Sequence, residues 1–300
     1  MSSDSVVERE DVAVTEYKRD PYPPQGVDLD RPSVARVYDY YLGGEANWEI
    51  DRRFGEKALA SFPFVRPAAR ANRQFLHRVV RHLARQGIRQ FVDVGSGIPT
   101  MGPTHVAADG IRPDAHVVYV DNEPVAVAHS KVLLEESGDP LRHAAIHGDL
   151  RDPDGLWRKV AETGVIDLDQ PVALLLIAVL HVQQLDEDGV DQTGAIVARY
   201  RKLLRPGSYL AISHGTSDGI PDDRAADMEN FARMYDQSST PVRWRPRAEI
   251  DALFGDLELV EPGITWTPLW HPEEQTPGSP AIEFVNPTDS VVWAGVGRKN

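Results

Sequence analysis

The chain contains no cysteine. Disulfides, thiolate zinc sites and thiol nucleophiles are therefore excluded together. Basic residues are in deficit, 32 Lys and Arg against 46 Asp and Glu, for a net charge of −14. Tracking a nucleic-acid backbone takes a basic footprint, so no nucleic-acid partner is expected. Long apolar runs are missing as well. The longest, residues 172–180, reaches about half of the ~20 residues needed to cross a bilayer. Residues 1–25 hold no apolar core of the kind a secretory signal carries. The ten histidines have no tight carboxylate cluster beside them, so no metal is expected. These absences describe a soluble, cytoplasmic protein with no membrane partner.

What is present suffices for a full core: 300 residues at 41% hydrophobic content make one large α/β domain, or one domain with an appendage. The chain is organised around Gln90-Phe-Val-Asp-Val-Gly-Ser-Gly97. Phe91, Val92 and Val94 read as a buried strand running into a glycine turn. Gly95 and Gly97 permit positive φ and close approach of a ligand to the main chain. A strand, a glycine loop and a helix together aim free N–H groups at a nucleotide-like ligand.

Residues 1–27 read as a polar arm ending in a proline-rich stretch. Residues 28–88 read as an N-terminal helical cap or lid, and 89–300 as the ligand-binding core. In the cap, Asp30-Arg-Pro-Ser33 starts a helix with Pro32 in its first turn, and Gly43-Gly44 ends it. A second helix covers 48–61. A third buries Ala71, Phe75, Leu76, Val79, Val80 and Leu83, stops at Gly87, and turns most of its arginines and histidines to solvent. Strands follow at 90–95, 115–121, 144–149, 172–180 and 208–213, with two more at 257–260 and 290–296. Helices fall at 104–108, 123–136 and 186–204. This alternation means crossover units and a parallel sheet covered on both faces.

Ligands of such sheets bind at the carboxyl ends of the strands. Asp93 with Gly95-Ser96-Gly97 ends the first strand, Asp121 and Asn122 the second, and Gly148-Asp149-Leu150 the third. Asp121 is placed to accept both hydroxyls of a ribose, and Asp149 with the next N–H to read an adenine edge. His181 follows the fourth strand and His214 the fifth.

Asp93-x-Gly95-x-Gly97, Asp121 and Gly148-Asp149 resemble the first three motifs of class I S-adenosylmethionine-dependent methyltransferases. Leu203-Leu-Arg-Pro-Gly-Ser-Tyr-Leu210 resembles their turn into the fifth strand. Asp30-Arg-Pro-Ser-Val-Ala-Arg-Val-Tyr-Asp-Tyr-Tyr-Leu-Gly-Gly44, Ala71-Asn-Arg-Gln-Phe-Leu76 and Gly148-Asp-Leu-Arg-Asp-Pro153 resemble, more closely, an actinobacterial methyltransferase family once classed as a domain of unknown function. The resemblance runs from about residue 28 to the C-terminus. It implies a doubly wound, Rossmann-like α/β sheet of seven mostly parallel strands, the last reversed, with the helical cap in front. It also implies S-adenosylmethionine as cofactor, with Asp93, Gly95 and Gly97 around the methionine, Asp121 on the ribose and Asp149 with Leu150 at the adenine. Ser96, Asn122 and His181 complete the expected cofactor contacts. The sequence departs from a longer glycine loop at Pro99 and Thr100, where a third glycine is missing.

Methyl transfer needs a base only when the acceptor must lose a proton, and His181 and His214 are the candidates. Tyr38, Tyr41, Trp48 and Trp266 are the candidate walls of a small-molecule acceptor pocket. Two other readings remain open: a nicotinamide-dependent oxidoreductase, and a regulatory protein that binds S-adenosylmethionine without catalysis.

Overall fold

The computed structural model describes residues 30–99, 101–236, 240–282 and 284–300. The expected arm at 1–27 and Thr100 lie outside the described residues.

Helices α1 (Val34–Leu42), α2 (Glu49–Ser61) and α3 (Val65–Arg85) precede strand β1 (Gln90–Val94). Then come α4 (Thr104–Asp109), β2 (His116–Asp121), α5 (Pro124–Ser137), β3 (His143–His147), α6 (Pro153–Glu162) and β4 (Ala173–Ile177). Helix α7 (Thr193–Leu203), β5 (Tyr209–Gly215), α8 (Asp222–Asp236) and α9 (Arg247–Phe254) follow. Strands β6 (Glu258–Leu259), β7 (Thr265–Trp266) and β8 (Val292–Arg298) complete the series.

The sheet order is β3-β2-β1-β4-β5-β8-β6, and the pairs among β1 to β5 are parallel. Strand β8 runs antiparallel between β5 and β6, which is the expected reversed strand. The sheet has eight strands rather than seven because Thr265 and Trp266 add a two-residue pairing to β8.

Side chains on successive strand residues point to opposite faces, and both faces here are apolar. Val92, Val94, Val118, Val120, Leu174 and Leu176 pack under α6, α7 and α9. Phe91, Val117, Tyr119, Leu175 and Ile177 pack under Phe75, Val79 and Leu83 of α3. The chain after β1 winds one way to β2 and β3, and after β3 it returns to β4 on the other side. The switch point therefore lies between β1 and β4.

A separate cluster joins Val37 and Tyr41 of α1 and Ala58 of α2 to Met228, Phe231 and Tyr235 of α8. Helix α1 is capped by the Ser33 hydroxyl, which accepts the Arg36 N–H at 3.3 Å, and it ends at Gly43 with φ 89°. Pro32 thus precedes the cap instead of entering the first turn. A buried ion pair, Arg36 to Asp51 at 2.7 Å, ties α1 to α2.

Several local expectations change. The helix expected over 186–204 begins at Thr193. The Asp186 carboxylate accepts the N–H groups of Asp188 at 3.1 Å and Val190 at 2.8 Å, a side-chain turn that competes with helix. The fourth strand stops at Ile177 because Ala178 adopts φ 56°. Helices α6, α8 and α9 are additional to the sequence reading. The polar face of α3 is not all solvated, since Arg73 and Arg78 are buried. Among the described residues no helix is long and apolar enough to cross a membrane.

Candidate functional site

One pocket opens at the carboxyl ends of the parallel strands, over the switch point. The ends of β1, β2, β3 and β4 form its floor, and α1, α3 and α8 form its roof.

The glycine loop after β1 is built for close packing. Gly95 has φ 70°, and a Cβ there would lie 2.4 Å from a methyl of Val179 beyond β4. Gly97 has φ 61° and faces open space. The loop's N–H groups are not free. Gly95 and Ser96 donate to the Val120 carbonyl at 2.8 and 3.2 Å, and Gly97 donates to the Asp121 carboxylate at 2.8 Å. The expected cradle of bare N–H groups is therefore absent from Gly95 to Gly97, because the neighbouring strand has already taken its donors.

Asp121 also accepts the Glu123 N–H at 2.9 Å. Burial raises its pKa, offset in part by these two bonds. A carboxylate offers about four acceptor positions, so room remains for donors from a ligand. Asp93 is buried and accepts the Thr104 hydroxyl at 2.6 Å; burial raises its pKa, against Thr104 and the nearby Arg73. Asp149 is half-exposed and held below the usual carboxylate range, chiefly by its hydrogen bonds from the Arg151 guanidinium, one of them 2.6 Å. Ser96, Asn122 and Leu150 line the pocket beside these acids.

His181 sits on the pocket wall, and its Nδ1 is buried with no hydrogen-bond partner among the described residues. Burial and the Arg245 guanidinium push its pKa down to about 4, so the ring is neutral at pH 7. The backbone before it is held by a short chain of bonds. Ser213 donates its hydroxyl to Asn72 at 2.5 Å and accepts the Ala178 N–H at 2.9 Å. The left-handed Ala178 and the His181 turn follow from that support.

His214 does not reach the pocket. It is fully buried; its Nδ1 lies 2.7 Å from the Gly215 carbonyl and its Nε2 2.7 Å from Arg245 Nη1. A carbonyl only accepts and a guanidinium only donates, so Nδ1 carries the proton and Nε2 is bare. Both nitrogens are occupied, and His214 is no base. Arg245 in turn donates to Leu180, Thr193 and Asp191, which makes it the centre of a buried structural network.

Two expected wall residues also lie elsewhere. Trp266 stacks on Trp293 at 3.7 Å, paired with it across β7 and β8. Trp48 caps the start of α2 and lies under the Arg36 guanidinium, 5.2 Å from the ring centre. Tyr38 and Tyr41 do line the pocket. The walls that sequence reasoning missed are Met228, Phe231 and Tyr235 of α8, with Val242 and Trp244. Arg73 is the other omission, buried and facing the same space.

The pocket is divided by charge. Its charged lining residues are Arg73, Asp93, Asp121, Glu123 and Asp149, all from α3 or the β1 to β3 ends. The described walls from α1, α8 and residues 240–244 carry none. Such a site can hold a polar, nucleoside-like ligand at one end and an apolar molecule at the other. Among the described residues no group of three or more His, Asp or Glu could hold a metal ion.

A family model described as S-adenosyl methyltransferase matches residues 21–300. A candidate methyltransferase from Thermobifida fusca is 37% identical with a TM-score of 0.78, over 93% of this chain and 99% of that one. A DUF574 family protein from Streptomyces avermitilis is 36% identical with a TM-score of 0.80, over 91% of this chain and 99% of that one. No protein with a curated function matches.

Proposed function

The chain belongs to the S-adenosyl methyltransferase family, and from that premise we propose that it methylates an uncharged, largely apolar small molecule. The protein is an S-adenosylmethionine-dependent methyltransferase. The observation that carries the acceptor class is the division of the pocket by charge. A charged acceptor lying among Tyr41, Phe62, Phe231, Tyr235 and Trp244 would lose its hydration without a counter-charge, at a cost of several kcal/mol. An aromatic or aliphatic molecule gains by the same burial, roughly 25 cal/mol for each Å² removed from water.

At the polar end, Asp93 with Gly95 to Gly97 surrounds the amino-acid part of the cofactor. Asp121 and Asn122 take the ribose, and Asp149 with Leu150 takes the adenine. The buried Ser96 hydroxyl, without a partner among the described residues, supports a ligand that supplies one. The occupied N–H groups of the glycine loop speak against a pyrophosphate, as do Asp93 and Asp121 beside it. That removes the main support for a nicotinamide cofactor.

Bound S-adenosylmethionine supplies a methyl group already activated on a sulfonium. The residues then have three tasks: to align the acceptor, to exclude water and to receive a proton where the acceptor carries one. His181, on the pocket wall, performs the last. With a pKa of about 4 it is a weak base, suited to a proton that becomes acidic only as the new bond to carbon forms.

Thermal unfolding with S-adenosylhomocysteine and with NAD tests the reading. A ligand at a hundredfold excess over its Kd adds about 2.7 kcal/mol of apparent stability. A shift with S-adenosylhomocysteine alone is expected; a shift with NAD alone overturns it. Differential methylation of a cell extract, fractionated by charge and polarity, then tests the acceptor class.

A further inference from the structure

Arg73 is about nine-tenths buried, at 8% exposure, on α3, and it lines the pocket. Its Nε has no hydrogen-bond partner, and it makes no hydrogen bond or ion pair with any described residue. Asp93 on β1 feels its charge, as do Tyr38 on α1, Tyr119 on β2 and His77 on its own helix. None of these is bonded to it. Asp93 instead accepts from Thr104, and His77 lies 2.7 Å from the Gly102 carbonyl.

A buried guanidinium is costly unless an anion or a set of hydrogen-bond acceptors meets it. Other buried arginines of this protein obey the rule: Arg36 meets Asp51, and Arg78 donates to three acceptors. Arg73 stands apart in the described structure, and the space it faces is the cofactor end of the pocket. A carboxylate and a guanidinium lining one pocket, buried and not bonded to each other, match the two charges of an α-amino acid. A planar guanidinium suits a carboxylate in two-point contact.

We infer that Arg73 is a carboxylate-binding residue that reads the α-carboxylate of the cofactor's methionine part, while Asp93 takes the α-ammonium. This rests on the cofactor arrangement proposed above. It assigns to the roof helix α3 a specificity for amino-acid-bearing over amino-acid-free nucleosides, and it explains why so long a helix turns an arginine inward.

Calorimetry with S-adenosylhomocysteine and with its decarboxylated amine analogue provides the test. Wild-type protein is expected to favour S-adenosylhomocysteine by roughly tenfold to a hundredfold, the span of a hydrogen bond to a charged group. Arg73→Met keeps the length of the side chain and is expected to lose that preference, with its affinity for the amine analogue nearly unchanged. Arg73→Lys, which keeps charge without the planar fork, is expected to retain part of the preference and serves if the methionine variant does not fold. A preference that survives Arg73→Met overturns the inference, because another group then reads the carboxylate. An equal loss for both ligands also overturns it, making Arg73 a support for the fold. Wild-type protein that binds both ligands equally defeats the Arg73 subsite alone. Wild-type protein that binds neither defeats the cofactor arrangement beneath it.

Discussion

The hydroxyl of Tyr41 lies 3.2 Å from that of Tyr235, joining α1 to α8 across the roof of the pocket. Both rings line the pocket, and burial raises both phenol pKa values, Tyr41 well above its usual range and Tyr235 to about 12. Both stay neutral at working pH. Removing only the hydroxyl with Tyr41→Phe should cost about 1 kcal/mol of stability, whereas Tyr41→Ala should cost roughly 3–5 kcal/mol by opening a cavity. Urea unfolding checks both values. Equal losses for the two variants would show that the hydroxyl pair, not the packed ring, holds α1 and α8 together.

Asp121 should have two separable effects. Asp121→Ala is expected to weaken S-adenosylhomocysteine binding by roughly 1.5–3 kcal/mol, because a charged acceptor is lost. It should also lower stability by about 1–3 kcal/mol, since the buried N–H groups of Gly97 and Glu123 lose their acceptor. Calorimetry and denaturation read the two effects independently. Unchanged affinity beside reduced stability would make Asp121 a loop brace only.

The two histidines should separate by what they affect. His214→Ala takes the donor from the Gly215 carbonyl and one acceptor from the buried Arg245 Nη1, and it empties a fully buried site, so folding should suffer by more than about 2 kcal/mol. His181→Ala should leave stability within about 1 kcal/mol and lower turnover by roughly 10²–10⁴ where the acceptor loses a proton. Turnover that stays at the wild-type level in His181→Ala would mean that the acceptor needs no base.

Acid should destabilise the fold through buried histidines. Burial lowers the pKa of His143 to about 4 and that of His214 well below its usual value. Between about pH 6.5 and about pH 4 the unfolded chain binds protons that the native imidazoles refuse, so stability falls as pH falls. Each such group contributes on the order of 1.4 kcal/mol for each pH unit in that window. Asp93 and Asp121, whose native pKa values are raised, act in the opposite sense at the acidic edge. Urea midpoints between about pH 7 and about pH 5 should therefore decline. A flat profile across that span would contradict neutral, buried rings.

The polar lining of the pocket was legible in the sequence because its signals are local. A β-branched run, a glycine pair and an acid at the strand end lie within eight residues, Gln90 to Gly97. The apolar walls were not legible, because they are decided by pairings across long stretches of chain. Trp244 faces the pocket and Trp266 does not, although both stand in similar surroundings in the sequence. What separates them is the register of β7 on β8, which sets Trp266 against Trp293. Helix α8 escaped notice because Asp222-Asp-Arg-Ala-Ala-Asp-Met opens with charge and only later shows Phe231 and Tyr235. Arg73 reads as one more arginine on a basic helix face, until β1 places Asp93 near it. His181 and His214 each follow or close a strand, and only the distant Arg245 distinguishes them.

The reversed strand has a consequence for how the protein is made. Strand β8 pairs with β5 along its whole length, yet residues 216–291 lie between the two in the chain. During synthesis the five parallel strands emerge together, and the outer edge of β5 then waits for a partner still to be translated. An unpaired, apolar strand edge is a template for association with other chains. Val291 and Val292, which close the pocket, arrive only with that partner. Nascent chains arrested before Val292 should therefore bind holdase chaperones, and release should coincide with the emergence of β8. Quantifying chaperone capture at successive arrest points measures this directly; constant capture before and after Val292 would contradict it.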